Sequence, residues 1–235
     1  RALSPDGRPL LDPQVLLTAH RAHAAYLGVL AEHPWLAGQQ RLTCARLGVV
    51  DPTSAQDYAG YGGWAGLRRA LSLPPEQVLE EVIASGLRGR GGAGFPTGIK
   101  WRTVAGAESD VKFVCANADE GDSGTFADRM LMEGDPFALV EGMTIAAYAV
   151  GAREGFVYVR SEYPHAIAAL QTAIDAARAL GWLGPDIQGS GLHFDMQVRV
   201  GAGAYLRGDT TSTLESLERR RAQGRGQPPR PPAAG

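Results

Sequence analysis

The stretch Ser85–Trp101, SGLRGRGGAGFPTGIKW, constrains this chain most, because six of its residues are glycine and three, Arg88, Arg90 and Lys100, are cationic. Glycine reaches positive φ without a Cβ clash, so such a segment can bring backbone N–H groups close to a ligand while the nearby cations favour an anion. Phosphate is the group this combination suits. The motif is not a Walker loop, which needs lysine followed by Ser or Thr; here Trp101 follows Lys100. It also does not follow a strand, as a dinucleotide fingerprint would. Pro75 to Ser85 instead predicts a helix, with proline in the first turn, Glu76 at the positive end of the macrodipole, Val78, Leu79, Val82 and Ile83 on one face and Gly86 as its stop. On spacing alone, an Arg/Gly-rich surface loop remains an alternative.

Downstream, apolar runs and helical periods alternate. Val111 to Ala116 (VKFVCA) reads as a buried strand that ends in the polar string Asn117-Ala118-Asp119-Glu120-Gly121-Asp122. Pro136 to Val150 predicts a helix with Phe137, Val140, Met143, Ala147 and Val150 at core spacing, and Phe156 to Arg160 predicts a strand. Pro164 to Leu180 is a second helix closing at Gly181, and Leu192, Phe194, Met196, Val198 and Val200 alternate with polar residues as in a strand near a sheet edge. Strand, helix, strand, helix, strand implies a right-handed parallel βαβαβ unit. The expected fold is therefore α/β, a Rossmann-like parallel sheet with helices on both faces and two glycine-rich ligand turns. The second turn, VGAGAYLRGDTTSTLESLE, follows the last strand and should face the same crevice as the 117–122 cluster, at the carboxyl ends of the strands.

The loop string, together with NADEGDSGTFADRMLMEGDPF, resembles the NADH-oxidising FMN flavoprotein family. That family includes the flavin subunit of respiratory complex I, the diaphorase subunit of bidirectional hydrogenases and the beta subunit of NAD-dependent formate dehydrogenases. The Gly121-Asp122-Ser123-Gly124 tetrad looks more like the formate dehydrogenase beta subunit than complex I, and the segment beginning at Gln40 looks like the formate dehydrogenase and hydrogenase branch. The resemblance implies FMN and NAD(H) as cofactors, electron transfer onward to iron–sulfur partners, and hydride moving directly between cofactors with no catalytic side chain. It places Gly89, Arg90, Gly91, Gly92 and Lys100 around the flavin and its phosphate, and Phe95 stacked on the dinucleotide. Asn117, Asp119 and Glu120, with Asp122 beside them, would bond the isoalloxazine or ribityl groups. Tyr205, Gly208, Asp209 and Thr210 would approach from the second turn. That turn departs from the family, whose Ile-Cys-Gly-Glu-Glu-Thr is Leu206-Arg207-Gly208-Asp209-Thr210-Thr211 here, and Thr103 stands where a second stacking aromatic is expected. Weak NAD(H) binding is the expected consequence.

Composition excludes several other classes. No apolar run reaches the length of a spanning helix, the net charge of −2 gives no overall footprint for nucleic acid, and a cytoplasmic setting is expected. Two cysteines, Cys44 and Cys115, are too few for an iron–sulfur cluster and read as small buried hydrophobes. His20 and His23 make a poor metal pair, so no metal site is expected. The expected organisation is an N-terminal linker and helical segment over 1–40, with its helix at Val15 to Tyr26, an FMN/NAD(H)-binding α/β domain over 41–218, and an Arg/Pro-rich tail over 219–235. The tail resembles a worn family segment, after which the family's Asn-Asn-Thr flavin contact, ubiquitin-like domain and four-cysteine domain would follow; the chain thus reads as a fragment or a truncated gene. A non-catalytic FMN-binding or assembly module is the competing reading. An RNA-binding tail is weaker, because no aromatic residue is interleaved with its arginines.

Overall fold

The structure, a computed structural model, describes residues 34–122, 124–201, 213, 214 and 217. The chain divides into two compact units, Arg1–Val49 and Val50–Gly235. The described part of the first holds one short helix, α1 (Pro34–Ala37), followed by turns. The helix expected at Val15 to Tyr26, the His20/His23 pair and the 219–235 tail lie outside the described residues.

The second unit contains helices α2 (Ala55–Gly60), α3 (Ala65–Leu71), α4 (Pro75–Ala84) and α5 (Thr97–Ala105). These precede strand β1 (Phe113–Ala118), and then come α6 (Ala127–Gly134), α7 (Pro136–Val150), β2 (Glu154–Arg160), α8 (Pro164–Ala179) and β3 (Asp195–Gly201). The strands form one parallel sheet in the order β1-β2-β3, with Ala118 opposite Val159 and Val159 opposite Val200. The helices begin and end where backbone chemistry dictates. Proline opens α4, α7 and α8, where its missing N–H costs nothing. Gly151 closes α7 at φ +77°, a left-handed cap that a side chain disfavours.

Helix α7, PFALVEGMTIAAYAV, is apolar nearly all round and is accordingly the buried centre of the helical layer, against which α3, α4, α5 and α8 pack. Its carboxylate, Glu141, is buried but takes three donors. It accepts from the N–H groups of Trp64 (2.7 Å) and Leu67 (2.8 Å), both at the start of α3, and from the Tyr58 hydroxyl. Trp64 takes φ +63° at this cap and stacks on Trp182 with ring centroids 4.7 Å apart. The sheet's inner face presents Val157 and Val159 to α7 and α8. Gly155 leaves room there for Phe194, whose Cζ would lie 2.6 Å from an added Cβ.

The run VKFVCA is not a buried strand: β1 starts at Phe113, and Phe113, Cys115 and Asn117 are exposed. The reason is position, since among the described residues β1 pairs with β2 alone and is a sheet edge, and apolar composition alone does not distinguish an edge from a centre. Cys115 is correspondingly an exposed thiol and Cys44 a half-buried one. Among the described strands β3 is the other edge, as its alternation predicts, but Val200, which that alternation puts on the apolar side, is exposed at the strand's end. It begins at Asp195, because Phe194 pairs in antiparallel fashion with Gly184 instead. The helices named above cover the inner face. On the outer face Phe113 lies against Phe156 and Arg199 over Phe156, and at its carboxyl end the helical residue Thr213 is buried against β1. No helix among the described residues is long and apolar enough to cross a membrane.

Candidate functional site

The glycine loop joins α4 to α5. Gly86 turns out of α4 at φ +66°, Arg88 pairs with Pro96 as an antiparallel bridge, and Gly89 N–H donates to the Phe95 carbonyl at 2.9 Å. The Arg88 guanidinium closes the base by donating to the Gly94 carbonyl at 2.9 Å. Between these ties, the N–H groups of Arg90, Gly91, Gly92, Ala93, Gly94 and Phe95 donate to no acceptor among the described residues. Gly92 stands at φ +101°, and a Cβ at Gly91 or Gly92 would meet nothing within 4 Å. Arg90, Phe95 and Lys100 are exposed around this opening. Gly98 has a different task from the other glycines of the motif. A Cβ there would lie 2.5 Å from Ile83 Cγ1 and 2.7 Å from Ile83 Cα, so it lets α5 pack directly on α4 behind the loop. Undonated N–H groups, a left-handed glycine and exposed cations are a combination suited to phosphate.

The second group sits at the carboxyl end of β1. Asn117 Oδ1 accepts the Asp119 N–H at 3.1 Å, and its Nδ2 donates to Thr213 Oγ1 at 3.1 Å. Chain just beyond the second glycine turn is thereby brought to the end of β1, where an open α/β sheet places its ligands. Asp119 is fully buried. Glu120 takes φ +42°, uncommon for a residue with a side chain. Its Oε1 accepts the Asp128 N–H at 2.9 Å, and its Oε2 accepts the Arg129 N–H at 3.2 Å and the Tyr163 hydroxyl at 3.0 Å. The Glu120 carboxylate therefore caps the start of α6, where the helix dipole favours a negative charge. Asp122 is exposed in the following turn. Among the described residues no hydrogen bond joins the glycine loop to this cluster.

Charge around the cluster is paired. The Arg160 guanidinium is pushed up chiefly by its hydrogen bond to Glu162, and the charges of Glu162 and Asp119 add to this. Glu162 is correspondingly held low by Arg160. Burial first, then Glu120, pushes the Tyr163 phenol up, so it stays protonated and donating at neutral pH. Burial and the neighbouring Glu120 charge raise the Asp128 carboxyl. Sequence pattern pointed to neither Arg160, Tyr163 nor Thr213, whose partners are distant in the chain. Tyr205, Gly208, Asp209 and Thr210 lie outside the described residues. Among the described residues no cluster of metal-ligating side chains occurs.

A parallel α/β unit with a cationic glycine loop and a polar cluster at its strand ends is the arrangement of a nucleotide-cofactor protein. The chain belongs to the family described as the Nuo51 FMN-binding domain, which matches residues 82–235. It is similar to the NADP-reducing hydrogenase subunit HndC of Solidesulfovibrio fructosivorans, with 47% identity over 197 residues, covering 84% of this chain and 40% of that protein. It is also similar to the F 2 subunit of the NADH-quinone oxidoreductase of Rhizobium meliloti, with 50% identity over 188 residues, covering 80% of this chain and 45% of that protein. Among solved structures it resembles an NAD+-reducing NiFe hydrogenase in the H2-reduced state, with a TM-score of 0.65 and 31% identity over 82% of this chain and 31% of that one. The chain thus spans less than half the length of these relatives.

The residues present suit a flavin mononucleotide. A phosphate group would suit the open N–H groups of the loop and the Arg90 and Lys100 charges.

Proposed function

We propose that the chain carries the FMN site of an NADH-oxidising flavoprotein subunit. The observation that supports this most is the glycine loop of a Nuo51-family chain, with the N–H groups of residues 90–95 unused by protein beside exposed Arg90 and Lys100. On this reading Gly89, Arg90, Gly91, Gly92 and Lys100 hold the phosphate end, Asn117, Asp119 and Glu120 orient the ring and ribityl end, and Phe95 supplies a stacking face for NAD(H). Asp122, Tyr205, Gly208, Asp209 and Thr210 complete the crevice. FMN, when bound, accepts a hydride from the nicotinamide and releases its electrons singly. The protein's part is position and electrostatics, and no side chain needs to act as acid or base.

The finer reading is a flavin subunit of an NAD-dependent formate dehydrogenase type complex, supported by the Gly121-Asp122-Ser123-Gly124 tetrad. Electron exit would then use an iron–sulfur cluster on partner subunits of a formate dehydrogenase or hydrogenase type complex, or on a C-terminal domain outside this sequence, because its two cysteines cannot supply a cluster's four thiolates. One feature favours a second reading, a non-catalytic FMN-binding or assembly module: Asp209-Thr210 stands where the family has paired glutamates. Loading the purified chain with FMN and following NADH-dependent reduction of an artificial acceptor separates the two. Steady turnover supports the oxidoreductase, whereas flavin retention without turnover supports the module.

A further inference from the structure

We infer that Tyr163 and Arg160 are positioning residues, holding the Asp119–Glu120 turn from the next strand in the conformation that FMN binding requires. Glu120 occupies left-handed backbone at φ +42°, and Phe126 at the end of the same segment takes φ +53°. Neither is a glycine, so the conformation must be imposed by contacts. At Glu120 those contacts are identifiable. Its carbonyl accepts Arg160 Nη1 at 2.9 Å, and its carboxylate takes the Tyr163 hydroxyl at 3.0 Å together with the Asp128 and Arg129 N–H groups. Arg160 is the last residue of β2, and Tyr163 immediately precedes α8. The turn that ends β1 is therefore gripped by the β2–α8 connection as well as by the helix that follows it.

The grip is itself braced. Tyr163 is buried, and the guanidiniums of Arg160 and Arg129 lie over its ring at 5.3 and 5.4 Å. Arg160 is anchored in turn by Glu162 at 3.2 Å. Three donors occupy the Glu120 carboxylate, which offers about four acceptor sites, so most of its capacity holds its own turn rather than a ligand. On the FMN reading, the ligand-facing groups of the turn are presented in a geometry that Tyr163 and Arg160 set through Glu120.

This rests on the FMN reading above, so the test pairs an FMN titration with a measurement that needs no flavin. Tyr163→Phe removes only the hydroxyl and should weaken FMN about tenfold, as should Arg160→Met, whereas Arg160→Lys, which keeps a cationic donor, should recover affinity to within about threefold. In a Glu120→Ala background Tyr163→Phe should add less than about twofold, because a residue acting through Glu120 has no target there. Independently of FMN, Tyr163→Phe should speed hydrogen exchange of the Asp128 and Arg129 amides, leaving the α7 amides unchanged. Unchanged FMN affinity in Tyr163→Phe and Arg160→Met, or fully additive losses in the Glu120→Ala background, would overturn the inference. If the unaltered chain binds no FMN, the functional reading falls, and unchanged exchange at Asp128 and Arg129 would then overturn the positioning link as well.

Discussion

Replacing Glu141 by alanine should unfold the α2–α3 side of the second unit more readily than any other single truncation on α7. The carboxylate receives the Trp64 and Leu67 N–H groups at 2.7 and 2.8 Å and the Tyr58 hydroxyl, and Trp64, Leu67 and Tyr58 are all essentially inaccessible to water. A hydrogen bond to a charged acceptor is worth about 1.5–3 kcal/mol, so three such bonds amount to roughly 5–9 kcal/mol gross. Removing the carboxylate also relieves the several kcal/mol that it costs to bury a charge. The net loss is about 3–5 kcal/mol, against a typical total stability of about 5–15 kcal/mol. Glu141→Gln keeps one acceptor oxygen but turns an NH2 toward a donor, so its cost should fall between wild type and alanine, at about 2–3 kcal/mol. Urea unfolding followed by near-ultraviolet circular dichroism reads both variants, because the stacked Trp64–Trp182 pair reports on this cap. A loss below about 1 kcal/mol for Glu141→Ala, with an unchanged tryptophan signal, would refute the reasoning, since no buried donor would then have been orphaned.

Gly98→Ala should cost about 1–3 kcal/mol in urea unfolding and also weaken FMN, because its Cβ would meet Ile83 backbone at 2.7 Å and force α5 off α4. The Arg160–Glu162 pair makes a small pH-dependent contribution. Glu162 is held low in the fold, so its stabilisation is present above the ordinary glutamate value of about 4.3 and is lost as pH falls through the lower folded value. Glu162→Gln should therefore flatten the acid limb of the stability profile while changing stability at pH 7 by less than about 0.5 kcal/mol, as an exposed pair implies. Thr210→Glu should lower the KM for NADH in acceptor reduction by about 10- to 100-fold by restoring a charged hydrogen bond, and an unchanged KM would show that the missing carboxylate is immaterial.

Helices were the most legible part of the fold. The predicted bounds of α4, α7 and α8 agree with the structure to within one residue, because proline at each start and Gly86, Gly151 or Gly181 after each end are local backbone signals. β1 was less legible, since the same apolar letters serve an edge or a centre, and it is the pairing with β2 alone among the described residues that goes with exposed Phe113 and Cys115. Within the candidate site, the loop could be read from its glycines and cations. The role of Gly98 could not, because Ile83 becomes its neighbour only when α4 and α5 pack. The same holds for Glu120. A carboxylate in a polar string reads as a ligand, while the partners that make it a cap lie 8 to 43 residues further along the chain.

The central claim, that the loop and the strand-end cluster together hold FMN, is tested most directly by titrating the purified chain with FMN and following quenching of flavin fluorescence, alongside Lys100→Ala. The predicted result is saturable quenching by the unaltered chain, and affinity about 10- to 100-fold weaker in Lys100→Ala at an unchanged unfolding midpoint, as loss of one charge-assisted phosphate contact implies. An absence of saturable quenching, or equal affinity in Lys100→Ala, would contradict it.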